Sequence, residues 1–195
     1  VTSSNTILGG ALTGSGLGLT GFGPIVGISK AYTTRVGSGP FPTEMRGSDE
    51  AMGERIRQVG AEFGATTHRP RRVGWLDLVA LKYAVELNGL TALALMKVDV
   101  LQGLDFVKLA TAYRLSENTV YSVPSCTWDL EKAEPVYEIL PGWQTYSCDQ
   151  VKEFRDLPTE LRGYIKFIEQ FIGVPVILVS TGPDREHTVE LKSPF

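Results

Sequence analysis

Thr91-Ala-Leu-Ala-Leu-Met96 is an unbroken apolar run that leads directly into Lys97-Val98-Asp99. A strand with one wet face alternates apolar and polar side chains. An unbroken run of this length is expected of a strand covered on both faces, as in a parallel sheet. Val176-Ile-Leu-Val179 reads the same way. Each run follows a helix-period segment. Asp77–Leu87 places Leu78, Leu81 and Val85 on one side and closes at Asn88-Gly89, and Leu161–Ile172 ends at Gly173. Helices alternating with buried strands predict an α/β fold with a largely parallel central sheet flanked by helices.

Further from this core, Val107–Tyr113 alternates as a strand. Thr119–Val123, Val136–Leu140 and an edge strand at Thr188–Leu191 are shorter candidates. Ser48–Gly60 carries Met52, Ile56 and Val59 at helical spacing and predicts a surface helix. Pro24–Tyr32 also reads as a helix, with proline in its first turn. Val36–Thr43 holds two glycines and two prolines and is not helical. Seven of the 21 glycines fall within residues 9–23. That stretch is either a ligand loop or a flexible hinge and packing site. It lacks GxGxxG spacing, and no Lys-Ser/Thr follows it as in a P-loop. The opening Val1-Thr-Ser-Ser-Asn-Thr reads as the end of a strand entering a loop, so the beginning of the natural polypeptide is expected upstream.

The 195 residues carry a formal net charge of -3, with 43% hydrophobic and 21% charged side chains. That composition suits one well-buried core and excludes nucleic-acid binding through a broadly basic surface. No apolar run approaches the ~20 residues of a membrane-crossing helix, and no signal-peptide pattern is present. Cys126 and Cys148 have no CxxC or Cys/His companion and are expected to be reduced.

Against that charge, Arg69, Arg71 and Arg72 crowd one stretch, Gly64-Ala-Thr-Thr-His-Arg-Pro-Arg-Arg-Val-Gly-Trp-Leu-Asp77. The planar guanidinium donates paired hydrogen bonds to carboxylates and phosphates and keeps its charge when desolvated. Small residues and hydroxyls around it suit close approach by an anion. The competing reading is a solvated basic loop or a set of intramolecular ion pairs.

In open parallel sheets, ligands bind beyond the carboxyl ends of the strands. One such end carries Lys97-Val-Asp99, the other Ser180-Thr-Gly-Pro-Asp-Arg185. A carboxylate can accept two parallel bonds from N1–H and N2–H of guanine, a donor pair that adenine lacks. Mispairing leaves it unsatisfied at about 1–3 kcal/mol. The lysine stem can lie on the purine face with its ammonium in water, and backbone at Gly182 and Pro183 can meet the base carbonyl. A surface ion pair and a plain turn are the alternatives.

Seven ordered stretches together resemble one family. They are Val1–Thr6, Thr34–Glu44, Glu62–Asp77, Met96–Leu101, Pro141-Gly-Trp143, Tyr164-Ile-Lys and Val179–Arg185, and they follow one another as in adenylosuccinate synthetase. The likeness covers 1–195 as a single carboxyl-terminal portion, with aspartate/IMP-binding loops in 1–77 and a guanine-binding sheet region in 90–195. It implies an incomplete P-loop-NTPase-like architecture and a cytoplasmic homodimer that engages neither nucleic acid nor membrane. The implied activity joins IMP to L-aspartate using GTP and Mg²⁺, yielding adenylosuccinate, GDP and phosphate. By position, Val36, Thr66, Thr67, Arg69 and Arg71 resemble the aspartate-recognising residues. Arg69 also matches an IMP-ribose contact, and Thr2 an IMP-phosphate contact. Lys97, Asp99, Ser180, Gly182 and Pro183 match guanine-binding positions, and Arg71 is also assigned to GTP. Catalytic acid/base residues and the main magnesium ligands are expected outside this chain, which is expected to be inactive alone. The alternative is a non-catalytic module that binds a guanine nucleotide or a dicarboxylate. His68 stands where the family commonly has glycine. His187 has no motif support and is expected to be a surface residue.

Overall fold

The computed structural model describes residues 5–18, 20 and 22–193. The expected parallel sheet is present. Its core is three parallel strands, β1 (Val26–Lys30), β5 (Ala92–Met96) and β9 (Val176–Ser180), in the order β1-β5-β9. A short antiparallel strand, β10 (Thr188–Glu190), pairs with β9. The apolar run that fixes the fold class is thus the middle strand. Leu93 and Leu95 are 1% and 0% exposed, and burying each stabilises the fold by about 1.5–3 kcal/mol.

Two helices supply the cover. These are α3 (Leu78–Asn88) and α5 (Thr159–Ile172), which pack on each other. The α5 residues Leu161, Ile165 and Ile168 recur at helical spacing and are completely buried in the same core as Leu95 and Val179. The other helices are α1 (Leu8–Ser15), α2 (Glu50–Val59) and α4 (Thr127–Lys132). None of the helices among the described residues is long and apolar enough to cross a membrane.

Beside the parallel sheet lies a second, mostly antiparallel one. The long strand β6 (Phe106–Leu115) pairs with β7 (Asn118–Val120), with β8 (Glu134–Pro141) and, in parallel, with β4 (Leu76–Asp77). A two-stranded ribbon of β2 (Thr33–Arg35) and β3 (Arg72–Gly74) completes the strands.

Two expectations change. Pro24–Tyr32 is not a helix, since it contains β1. Val26 through Lys30 pair one-to-one with Ala92 through Met96. Proline permits a helix start but does not compel one, and the β-branched Ile25, Val26 and Ile28 favour the pleated partner. Residues 9–15 of the glycine-rich stretch are helical, within α1, which ends at Gly16 with φ 70°. Helix thus replaces the considered ligand loop or hinge over those residues, while 16–18 and 22–23 are neither helix nor strand. The opening Val1-Thr-Ser-Ser lies outside the described residues.

Asp77 joins the second sheet to helix α3. Its Oδ1 accepts from the Ala80 amide at 3.0 Å, capping α3, and its Oδ2 accepts from the Tyr113 hydroxyl at 2.6 Å. Burial pushes the Asp77 carboxyl above its ordinary pKa, against the Tyr113 and backbone hydrogen bonds. Asp77→Ala removes a cap (about 1 kcal/mol) and strands a buried phenol (about 1–3 kcal/mol), so urea unfolding should show a loss of about 2–4 kcal/mol. Asp77→Asn, which retains the capping oxygen, should lose less than half as much.

Candidate functional site

Because β1, β5 and β9 are parallel, their carboxyl ends open on one edge of the sheet. Lys30, Lys97 and Ser180 stand there side by side, through the registers Lys30↔Met96 and Leu95↔Val179. Lys97 has φ 62°, a left-handed turn that breaks the strand and starts a 3-10 turn over Val98–Leu101. Val98, Val100 and Leu101 are buried and pin that turn. Lys97 and Asp99 remain half-buried on the rim. Burial raises the Asp99 carboxyl above its ordinary pKa, opposed by its own backbone hydrogen bond and the Lys97 charge.

The arginine stretch is a small hairpin. The Arg71 amide donates to Glu62 O and the Gly64 amide to Arg69 O, each at 2.9 Å, with Phe63 bridged to Pro70. Its tip carries Thr66, Thr67, His68 and Arg69, all exposed. Its base runs into β3, whose Arg72 lies opposite Arg35. That register sets exposed Val36 beside Arg71 at the end of the ribbon. The hairpin and Val36, the proposed dicarboxylate-binding positions, therefore share one place. Thr2 lies outside the described residues.

The three arginines part company. Arg72 makes a two-pronged bond to Glu44 at 2.7 and 2.6 Å and reaches the Gly39 carbonyl at 2.8 Å. It straps down the proline-glycine loop, as the ion-pair reading anticipated. Arg69 is exposed at the tip. Arg71 lies between, donating through Nη1 to Glu62 at 2.8 Å, while its buried Nε has no partner among the described residues.

Glu62 is the residue that sequence reading passed over. Its side chain is 0% exposed. Oε1 accepts from Lys30 (2.7 Å), Tyr32 (2.7 Å) and Lys97 (3.0 Å), and Oε2 from Lys30 (2.8 Å) and Arg71 (2.8 Å). Burial alone would raise its pKa, but hydrogen bonds from Lys30, Tyr32, Lys97 and Arg71 hold it down at about 2. Lys97 is thereby anchored inward, to Glu62 and to the Gly60 carbonyl at 2.7 Å. Its ammonium is thus bound where sequence reading left it in water. The available signal was charge balance: one acidic residue, Glu62, stands at the foot of a cationic loop.

The second loop of the edge is held internally. Ser180 Oγ donates to Gly182 O at 3.0 Å, and Thr181 donates to His187 O through both its amide (2.8 Å) and its hydroxyl (2.9 Å). His187 is not a plain surface residue. Its side chain is 13% exposed, and its Nε2 lies 3.0 Å from Asp149. A Cβ added at Gly182 would sit 2.6 Å from His187 Nδ1 and 3.1 Å from Cys148 Sγ, so only glycine fits between them. Pro183 follows, exposed. Both cysteines are free.

Two other quoted motifs are supports. Trp143, fully buried, packs on Tyr164 with ring centroids 5.4 Å apart. The Tyr164 hydroxyl donates to Ala31 O at 2.7 Å, fixing the end of β1 from α5. Among the described residues, no three His, Cys, Asp or Glu side chains form a group that could hold a metal ion.

Known proteins similar to this chain share one family. A family model described as adenylosuccinate synthetase matches residues 1–189. The chain belongs to the adenylosuccinate synthetase family. It is similar over its whole length to adenylosuccinate synthetases of Anaeromyxobacter sp. (51% identity) and Geotalea daltonii (50%), covering 44% of each. A solved structure of fully ligated adenylosuccinate synthetase from Plasmodium falciparum superposes with a TM-score of 0.89 at 36% identity, over 98% of this chain and 45% of that one. The chain thus spans a little under half the length of these relatives.

The hairpin gives His68 a backbone conformation suited to glycine. Its φ of 51° lies in the left-handed region that favours glycine. An L side chain there costs about 1–2 kcal/mol, partly offset by the entropy that glycine loses on folding, about 0.5–1 kcal/mol. His68→Gly should therefore raise unfolding stability by about 0.5 kcal/mol, and β-branched His68→Val should lower it by about 1–2 kcal/mol.

Proposed function

We propose that this chain is the aspartate-gripping and guanine-reading part of an enzyme that joins IMP to L-aspartate at the expense of GTP. GTP transfers its γ-phosphoryl group to the 6-oxygen of IMP, leaving GDP. The aspartate amine then attacks C6, the C6–O bond breaks, and inorganic phosphate departs with adenylosuccinate formed. Conversion to a phosphate ester is what lets a poor leaving oxygen depart.

In this reading Arg71 and Arg69 hold the substrate carboxylates, with Thr66, Thr67 and the Val36 backbone beside them. Arg71 also reaches toward the nucleotide, Arg69 toward the IMP ribose and Thr2 toward the IMP phosphate. Asp99 accepts from the guanine N1–H and N2–H, the Lys97 stem covers the purine, and backbone at Ser180, Gly182 and Pro183 meets the base carbonyl. Catalytic acid/base groups are assigned to residues outside this chain. Magnesium is expected to accompany the nucleotide phosphates. The described side chains offer it no cluster of ligands, and no step is routed through it. The active form is proposed to be a cytoplasmic homodimer.

The observation that carries the reading is spatial. The arginine hairpin and the Lys97–Asp99 turn, 26 residues apart between Arg71 and Lys97, meet on one buried carboxylate at the ligand-binding edge of a parallel sheet. The test is turnover of GTP, IMP and aspartate with Mg²⁺ by the natural full-length polypeptide. Arg71→Leu should raise the aspartate KM by about 10- to 100-fold, as expected for a lost charge-assisted bond. An unchanged KM removes Arg71 from carboxylate binding. Nucleotide binding without turnover would favour the non-catalytic module instead.

Asp99 gives a pH test whose sign is fixed. Only the carboxylate accepts both guanine bonds, and burial raises its pKa. GTP KM should therefore climb on acidification, at a pH above the ordinary aspartate value of about 3.9. Asp99→Asn should raise GTP KM by about 10-fold or more at neutral pH and flatten that dependence. A profile identical to that of the unsubstituted protein would exclude Asp99 from the base pocket.

A further inference from the structure

We propose that Glu62 is a positioning residue that couples the dicarboxylate subsite to the guanine subsite, so that each is shaped only while the other's lysine or arginine is held. This rests on the proposed function and adds a residue to it.

Glu62 sends its two oxygens in different directions. Oε1 receives Lys97, from the base-reading turn, and Oε2 receives Arg71, from the arginine hairpin. Lys30 spans both oxygens, and Tyr32 completes the Oε1 set. These donors come from four points of the fold: the end of β1, the turn that follows it, the exit of β5 and the base of the hairpin. Side-chain rotation at Glu62 is therefore blocked by contacts that differ in direction and origin. Burial raises the Tyr32 pKa further, so its hydroxyl stays a neutral donor.

The charge count explains why the cluster can still receive a ligand. Three cations, Lys30, Lys97 and Arg71, surround one carboxylate, so the group remains cationic after internal pairing. Arg71 commits Nη1 to Glu62, while its side chain is 30% exposed and its Nε is unpartnered among the described residues. A held but incompletely satisfied guanidinium is suited to an incoming carboxylate. Without the Glu62 charge the three cations repel one another. Arg71 and Lys97 then leave their positions together, although neither Thr66, Thr67 nor Asp99 has been touched.

The experiment is steady-state kinetics of Glu62→Gln in the full-length synthetase, reading three KM values. Loss of a shared positioning group should raise aspartate KM and GTP KM together, each by about 10-fold or more, with IMP KM within about 2-fold. Glu62→Gln combined with Arg71→Leu should raise aspartate KM no further than the larger single change, because both act through one guanidinium. Should Glu62→Gln fail to fold, Tyr32→Phe removes one of its hydrogen bonds and should raise the same two constants by about 3-fold. Equal shifts in all three KM values, a change in kcat alone, or no change would overturn the inference. No turnover by the unsubstituted protein would instead sink the proposed function, and this coupling with it.

Discussion

A carboxylate with no exposed surface, met by three cations and a phenol, is the constraint on which the rest of this structure depends. An ionised glutamate removed from water costs several kcal/mol unless its lone pairs are filled. Here the two oxygens of Glu62 receive five hydrogen bonds from four side chains. Breaking such a set by removing one partner class typically costs about 3–5 kcal/mol, because charge is left buried and unpaired. Since the pKa of Glu62 is lowered to about 2, the stability it supplies is fully present above the ordinary glutamate value. It is lost as pH falls toward the folded value. Architecture and ligand edge are joined at this point: β1, β5 and the arginine hairpin converge on one side chain.

Around that hub the edge is built by ordinary means. The left-handed Lys97 turns the chain out of the sheet, and the buried Val98, Val100 and Leu101 keep the turn from relaxing. Arg72 and Glu44 hold the loop after β2, so Val36 is presented from a fixed ribbon. Tyr164 and Trp143 brace the end of β1 from behind. Each device is local, yet together they fix the carboxyl-terminal edge of the sheet and the ribbon beside it.

The parallel sheet was legible from the sequence because burial on both faces leaves an unbroken apolar run, as in Ala92–Met96 and Val176–Val179. Helices α3 and α5 were legible because their apolar residues recur at helical spacing between recognisable ends. β1 was misread, since five residues with a glycine and a preceding proline carry no periodicity of their own. Its conformation comes from pairing with β5, which is a long-range fact. In the site, Lys97 and Asp99 could be singled out because strand-end position and residue type act locally. Glu62 had only the charge balance of its loop to mark it, because its four partners are separated by up to 67 residues, from Lys30 to Lys97. His187 was missed for the same reason: its contacts with Asp149 and the Gly182 turn exist only after β9 and β10 pair.

The most direct test of this account is a ¹³C NMR titration of the Glu62 side-chain carboxyl, assigned by its absence in Glu62→Gln. A shared, fully satisfied carboxylate predicts a midpoint of about 2. A midpoint at or above the unperturbed glutamate value of about 4.3 would mean that Arg71, Lys97 and Lys30 do not converge on it, and would contradict the account.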